Sequence, residues 1–175
     1  TIFDSLQQEF DYFVSSSYTD INILFNRERG DNVEPVLKTS RELLLKALPK
    51  RDAWAHKGNF GRVLVLSGSV GYTGAPVLAA SAALRTGSGL IFVMTPQSVY
   101  PIVAGKLIEP MVFPCPDRDG KLSLAGLDAI LQRLSTCDAC LIGPGLGQSD
   151  EIRALVQAVL KHSQSPVVLD ADGLN

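Results

Sequence analysis

The sequence predicts an α/β fold in which helices cover both faces of a mostly parallel sheet. From residue 62 onward, short apolar runs alternate with longer amphipathic segments. Within the short runs apolar residues are consecutive, which is typical of strands buried on both faces. Gly- and Pro-rich turns separate the two kinds of segment, as they do in βαβ units. These three observations predict a βαβαβαβαβ order.

Each predicted strand except the last is followed by a predicted helix. The strand and helix pairs are 63–66 with 76–85, 90–94 with 98–106, 111–113 with 124–134, and 140–142 with 150–162, and the last strand is 167–169. Ser149 and the acidic residues after it open the fourth helix, and Lys161 and His162 close it, which suits the helix dipole. In the first helix Pro76 lies in the first turn and Gly87 closes the last.

Composition and charge bound the function. The chain has 175 residues, with 16 Lys+Arg against 18 Asp+Glu, so a net charge of -2 favours neither nucleic acid nor an anionic membrane as a partner. The longest stretch without charges or strong breakers, 90–95, is far shorter than the roughly 20 residues that span a bilayer. Residues 1–13 lack the pattern of a signal peptide. We therefore expect a cytoplasmic protein.

Two regions of the chain read differently. Residues 1–45 carry no chemical motif, and we expect an N-terminal appendage or linker there, followed by the α/β domain over 46–175. The chain ends at Asn175, directly after the fifth predicted strand and at the edge where α/β sheets build their sites. The sheet is thus expected to be truncated after that strand, as the N-terminal part of a longer protein.

The three cysteines point to a reducing compartment, since an odd and sparse set does not form a disulfide framework. Cys137 and Cys140 form a C-x-x-C motif. Redox pairs of this kind lie after a strand, at a helix N-terminus that lowers the thiol pKa. Because this pair leads into a strand, two small apolar residues at a buried strand entry are the favoured interpretation.

Two glycine-rich turns follow different predicted strands. The first, 68–75, has the spacing G-x-x-G-x-x-G, which differs from the dinucleotide fingerprint and from a P-loop, so an ordinary NAD-binding Rossmann domain is disfavoured. The second, 143–147, places three glycines around Pro144. Each turn alone could be only a tight connection. Together they predict a ligand site at the carboxyl edge of the sheet.

Polar residues follow the fifth strand. Asp170 and Asp172, two residues apart on extended chain, would point to the same side, where they could hold Mg²⁺ through water or orient a hydroxyl. The alternative is that Asp172 caps the following segment. His56 and Lys57 lie on the amino side of the first strand, where residues usually serve structure, and His162 is interpreted as a solvated helix cap.

Five ordered segments over residues 46 to 175 resemble the ADP/ATP-dependent NAD(P)H-hydrate dehydratase family, which has a three-layer ribokinase-like fold. The segments are His56-Lys57-Gly58-x-Phe60-Gly61, Gly68-Ser69-x-x-Tyr72-Thr73-Gly74-Ala75, Leu84-Arg85-Thr86-Gly87-Ser88-Gly89-Leu90, Ile142-Gly143-Pro144-Gly145-Leu146-Gly147 and Leu169-Asp170-Ala171-Asp172-Gly173-Leu174-Asn175.

The resemblance implies a lyase that repairs hydrated NADH or NADPH with ADP or ATP and Mg²⁺, by phosphorylating the ring hydroxyl and eliminating phosphate. It implies that Ala75, Gly143, Gly145 and Gly147 line the hydrated-nicotinamide pocket. Asp172 and Asn175 would lie at the base of that pocket.

The resemblance also implies what this chain lacks. The family's Thr-Pro-His-Pro-Gly-Glu-like segment and the Gly-Thr-Gly-Asp-like motif with the catalytic Asp have no counterpart before Asn175. The 175 residues alone are therefore expected to be inactive, and to act with the second half of the same domain or as a homo-oligomer. A sugar or vitamin kinase of the same fold and a non-catalytic nucleotide-binding module are the alternatives.

Overall fold

A computed structural model of the protein describes residues 40–42, 45, 48 and 51–175. The compact unit that carries the motifs is Ala53–Asn175. The predicted appendage, residues 1–45, lies almost wholly outside the described residues, and the boundary between 45 and 46 stays a prediction.

The regular elements follow the predicted alternation. The strands are β1 (Arg62–Leu66), β2 (Leu90–Pro96), β3 (Met111–Cys115), β4 (Asp117–Arg118), β5 (Lys121–Leu122), β6 (Ala139–Ile142) and β7 (Val167–Leu169). The helices are α1 (Gly74–Thr86), α2 (Tyr100–Ala104), α3 (Leu127–Leu134) and α4 (Asp150–His162), with short 3-10 turns at Lys57–Phe60, Leu124–Gly126 and Ala171–Leu174.

Five of the strands form one parallel sheet in the order β3-β2-β1-β6-β7, which confirms the predicted class. The chain first builds the sheet outward from β1 to β3, and then returns to the other side of β1 to add β6 and β7. The direction of winding therefore reverses between β1 and β6. In open α/β sheets, ligands bind at the carboxyl ends of the strands that flank such a reversal.

Helices cover both faces of the sheet, and alternate residues of β1 show this. Leu64 and Leu66 are fully buried in a cluster with residues of α3 and α4, whereas Val65 is fully buried in a second cluster with residues of α1 and α2. Side chains of a strand alternate between the two faces, so one strand feeds both cores. The three-layer arrangement follows from these two clusters.

Two local features differ from the sequence prediction. The second helix spans only Tyr100–Ala104 instead of 98–106, since Pro101 lies in its first turn and Gly105 caps its last. A two-stranded antiparallel hairpin, β4–β5, interrupts the predicted loop before α3. Its loop residues, Asp119 and Gly120, have φ of 51° and 72°, as two-residue hairpin loops require.

All three cysteines lie in the core. Cys115, Cys137 and Cys140 are free thiols with at most 5% of their surface exposed. Burial raises the pKa of Cys140 to about 12 and that of Cys115 to about 11, and it also raises the pKa of Cys137. A redox-active pair needs a lowered thiol pKa. The interpretation of Cys137 and Cys140 as interior residues at the entry to β6 is therefore confirmed.

We predict that none of these thiols reacts with iodoacetamide in the folded protein at pH 8, and that all three react in urea. A thiol whose pKa is raised on folding contributes its full stabilisation below its unfolded pKa of about 8.5, and loses it as the pH rises toward the folded value. The free energy of unfolding should thus fall as the pH rises from about 9, and less steeply in Cys140→Ala. Rapid alkylation of the folded protein would contradict this account.

Candidate functional site

The two glycine-rich turns meet at the reversal point between β1 and β6. The Gly68 amide and the Ser67 hydroxyl both donate to the Pro144 carbonyl oxygen, over 3.1 Å and 2.5 Å. The Ser69 hydroxyl donates to the Gly145 carbonyl oxygen over 2.8 Å. The first turn therefore holds the second one through three hydrogen bonds.

Ser67 and Ser69 were missed as site residues by the sequence analysis. Both side chains are buried, with 0% and 2% of their surface exposed, so their hydroxyls need partners inside the protein. A usable signal was present, because two hydroxyl residues flank Gly68 directly after an apolar strand. Such residues at a strand end can satisfy the carbonyls of a neighbouring turn.

The second turn consists largely of glycines because neighbouring atoms occupy the space that side chains would need. Gly145 has φ of +66°, and a Cβ placed on it would lie 2.9 Å from the Cβ atoms of both Ala75 and Tyr72. Gly143 has φ of +132°, and a Cβ there would overlap the carbonyl oxygen of Asp170. Only glycine fits both conformation and space at these positions. The structure thus brings the predicted residues Ala75 and Gly145 together.

The segment after β7 departs from the prediction. The strand ends at Leu169, and Ala171, with φ of 48°, begins a 3-10 turn. The two-residue alternation of an extended chain does not apply across this turn, so the prediction that Asp170 and Asp172 point together from extended chain is wrong. Instead Asp172 Oδ2 accepts a hydrogen bond of 2.9 Å from the Gly147 amide. The carboxylate caps the neighbouring turn.

A shallow cleft lies beside this contact, at the start of α4. Its lining includes three of the predicted residues, Gly147, Asp172 and Asn175, together with Gln148, Ser149, Ile152 and Arg153. It encloses about 20 Å³, which is room for a single water molecule. The six predicted residues thus fall into two groups. Gly147, Asp172 and Asn175 line the cleft, while Ala75, Gly143 and Gly145 form the close-packed shelf.

The carboxylates near the site do not form a metal cage. Within the described part of the chain, no three His, Cys, Asp or Glu side chains lie close enough to hold an ion together. Asp172 already accepts the Gly147 amide.

The β4–β5 hairpin, which was not predicted from the sequence, contacts both glycine-rich turns. The Val70 amide in the first turn donates to the Gly120 carbonyl oxygen over 2.9 Å. The stem of Lys121 packs on the second turn, where its Cε would lie 2.9 Å from a Cβ placed on Gly147. Asp119-Gly120 was the available signal, because an Asp-Gly pair is typical of tight hairpins.

The histidines lie away from these turns and serve structure. His56 Nδ1 accepts a hydrogen bond of 3.1 Å from the Gly58 amide, and Asn59 Oδ1 accepts one of 3.0 Å from the His56 amide. These bonds cap the turn Lys57–Phe60 before β1, at the amino edge of the sheet. His162 Nδ1 lies 2.8 Å from the Ala158 carbonyl oxygen at the end of α4.

The model of one protein family, NAD(P)H-hydrate dehydratase, matches residues 63–175. The chain belongs to this family. The match begins at β1 and includes both glycine-rich turns and the segment after β7, so it covers the six predicted site residues, whereas the segment 56–61 precedes it.

Relatives and solved structures agree with this membership. The bifunctional NAD(P)H-hydrate repair enzyme Nnr of Moorella thermoacetica is 46% identical over 129 residues, 73% of this chain and 24% of the relative. The ATP-dependent (S)-NAD(P)H-hydrate dehydratase of Caenorhabditis briggsae is 36% identical over 135 residues, 74% of this chain and 40% of the relative.

The fold also matches. The ADP/ATP-dependent NAD(P)H-hydrate dehydratase of Bacillus subtilis, co-crystallised with ATP/Mg²⁺, superposes with a TM-score of 0.59 at 33% identity, over 77% of this chain and 46% of that one. A ribokinase-like superfamily protein of Enterococcus faecalis gives 0.67 at 25% identity, over 78% and 45%. The chain thus spans between about a quarter and about half of the length of these proteins.

Every helix in the described part of the chain is too short or too polar to span a lipid bilayer. Oligomeric state and cellular compartment stay predictions.

We predict that Gly143→Ala destabilises the protein by at least about 2 kcal/mol, because the new methyl group would overlap the Asp170 carbonyl at a positive φ. Gly74→Ala is the matched control, since nothing lies within 4 Å of its Cβ position at the first residue of α1. It should be neutral or stabilising. Urea unfolding of both variants checks this, and equal stabilities would show that the shelf is not close-packed.

Proposed function

We propose that the natural protein carrying this chain dehydrates hydrated NADH or NADPH with ADP or ATP, and that this chain supplies the hydrate-binding side of the site. The observation that carries the proposal is the bare shelf at the reversal point, where Gly145 packs on Ala75 and Tyr72. Ala75 and Gly145 are each only half-buried there and carry no bulky side chain, so the hydrated ring can approach them, and the family match includes this place.

The chemistry explains why a nucleotide is needed. Hydroxide is a poor leaving group, so the ring hydroxyl first gives up its proton to a base while its oxygen attacks the terminal phosphorus of ATP or ADP and displaces ADP or AMP. The carbon–oxygen bond then breaks, phosphate leaves with the electron pair, and loss of a proton from the adjacent carbon restores the ring double bond. Positioning and electrostatic stabilisation dominate catalysis of phosphoryl transfer.

The chain's own residues position the ring and exclude water in this scheme. Ala75 and Gly145 form the surface on which the ring lies, and Tyr72, which is 59% exposed beside them, presents an aromatic side chain at the rim. Gly143 holds the turn against Asp170. Because Ser67 and Ser69 fix this surface from below, little reorganisation is needed when the ring binds.

Asp172 and Asn175 line the cleft beside the shelf. The hydrogen bond from the Gly147 amide to Asp172 fixes the last residue of the glycine-rich turn, and the charged acceptor makes this bond stronger than a neutral one. Mg²⁺, when bound with the nucleotide, neutralises phosphate charge. In this proposal the phosphates and water hold the ion.

An activity assay on the complete natural gene product tests the proposal. Hydrated NADH or NADPH is mixed with Mg²⁺ and either ATP or ADP, and both the absorbance of the reduced nicotinamide and the released phosphate are followed. Restored absorbance with equimolar phosphate supports a dehydratase. A stable phosphorylated product without phosphate release would indicate a kinase of the same fold, and binding without turnover would indicate a non-catalytic module.

We predict that Asp172→Asn raises the KM for the hydrate about five- to tenfold, because the neutral amide is a weaker acceptor for the Gly147 amide and loosens the turn. Asp138→Asn is the matched control. Asp138 Oδ2 also accepts a backbone amide, that of Arg62 over 2.7 Å, but at the amino edge of the sheet. Steady-state kinetics and urea unfolding of both variants separate the two effects. An equal KM in both would contradict the role of Asp172.

A further inference from the structure

The β4–β5 hairpin is fixed at the carboxyl edge of the sheet on three sides. Asp117 Oδ2 accepts the Ser98 amide over 3.0 Å, and Gly120 accepts the Val70 amide over 2.9 Å. Arg118 forms an ion pair with Glu151 in the first turn of α4. The hairpin therefore bridges the first glycine-rich turn and the start of α4.

This placement directs Lys121 onto the second glycine-rich turn. The Cε and Cδ atoms of Lys121 would lie 2.9 Å and 3.2 Å from a Cβ placed on Gly147, so its stem lies in the space that the missing side chain leaves. Gly147 lines the cleft together with Asp172 and Arg153. The ammonium group is one bond beyond Cε, which itself lies beside Gly147, one of the residues that line the cleft.

The cations around the start of α4 differ in their partners. Arg118 pairs with Glu151, and Arg153 pairs with Asp150 over 2.9 Å. Lys121 forms no ion pair or hydrogen bond through its ammonium group with any residue that the structure describes. The Asp172 carboxylate, which contacts Gly147, already accepts a hydrogen bond from the Gly147 amide. Of the three cations Arg118, Arg153 and Lys121, Lys121 is thus the one whose charge is not already paired with a described residue.

From this geometry we propose that Lys121 is a substrate-binding residue that contacts a phosphate group of the dinucleotide substrate. The inference rests on the proposed function, since the substrate there carries phosphate groups that an ammonium ion can contact directly. Two phosphates offer the same chemistry. One is the pyrophosphate bridge that hydrated NADH and NADPH share, and the other is the ribose phosphate that only the NADPH form carries.

The test compares three variants of the complete gene product in steady-state kinetics. Lys121→Met keeps the stem on Gly147 and removes the charge, and Lys121→Arg keeps the charge. Lys161→Met, at the exposed end of α4 far from the glycine-rich turns, is the matched control. We expect Lys121→Met to raise the KM for the hydrate about tenfold with kcat within twofold of the natural protein. Lys121→Arg should restore most of the affinity, and Lys161→Met should change nothing.

Kinetics with each of the two hydrates identify which phosphate Lys121 contacts. A rise in KM for both hydrates assigns Lys121 to the pyrophosphate, and a rise for the NADPH form alone assigns it to the ribose phosphate. An unchanged KM in Lys121→Met, a rise confined to ATP, or the same rise in Lys161→Met would overturn the inference.

A binding measurement separates this inference from the proposed function. Calorimetric titration with unhydrated NADPH and NADH needs no turnover. If the natural protein does not repair hydrates but Lys121→Met still weakens NADPH binding about tenfold, the phosphate contact stands and the proposed function falls. If repair is normal and Lys121→Met leaves both the KM and the NADPH affinity unchanged, the inference falls and the proposed function stands.

Discussion

The Pro144 carbonyl oxygen is the point on which the site depends. It accepts two hydrogen bonds from the first glycine-rich turn, one from the Gly68 amide and one from the Ser67 hydroxyl. Together with the bond from the Gly143 amide to the Leu66 carbonyl oxygen, they continue the parallel ladder between β1 and β6 beyond the strand ends. The two turns therefore form one rigid surface. Glycine is required on it because the Asp170 carbonyl at Gly143, and the Cβ atoms of Ala75 and Tyr72 at Gly145, leave no space for a side chain.

The shelf and the cleft are built in different ways, so we expect them to contact different parts of the substrate. The shelf at Gly143 and Gly145 is formed by uncharged groups, the Asp170 carbonyl and the Cβ atoms of Ala75 and Tyr72, which suits an uncharged ring. Charged groups surround the cleft, where Asp172, Arg153 and Lys121 lie around Gly147. A substrate with an uncharged ring at one end and phosphates further along would use both surfaces. The hairpin joins them, since Gly120 contacts the first turn and Lys121 the second.

Local sequence patterns correctly predicted the strands of the sheet and the start of α4. Consecutive apolar residues identified every strand of the sheet, and Ser149 marked the start of α4, where its side chain accepts the Ile152 amide. The prediction failed where contacts between distant parts of the chain determine the backbone conformation. The alternation of Asp170 and Asp172 assumed an extended chain, but the positive φ of Ala171 turns the backbone so that Asp172 caps a different strand's turn. No single-sequence signal reports that a carboxylate has a partner 25 residues away. Asp119-Gly120, by contrast, was a local hairpin signal that went unused.

Hydrogen exchange of the complete gene product, measured by mass spectrometry with and without hydrated NADPH, tests whether one ligand covers both glycine-rich turns. We expect slower exchange in two separate segments, the turn after β1 and the turn after β6, because both would be covered by that ligand. Exchange in the turn Lys57–Phe60, at the amino edge of the sheet, should not change. Slower exchange at that amino edge, with none at the two glycine-rich turns, would contradict the placement of the site.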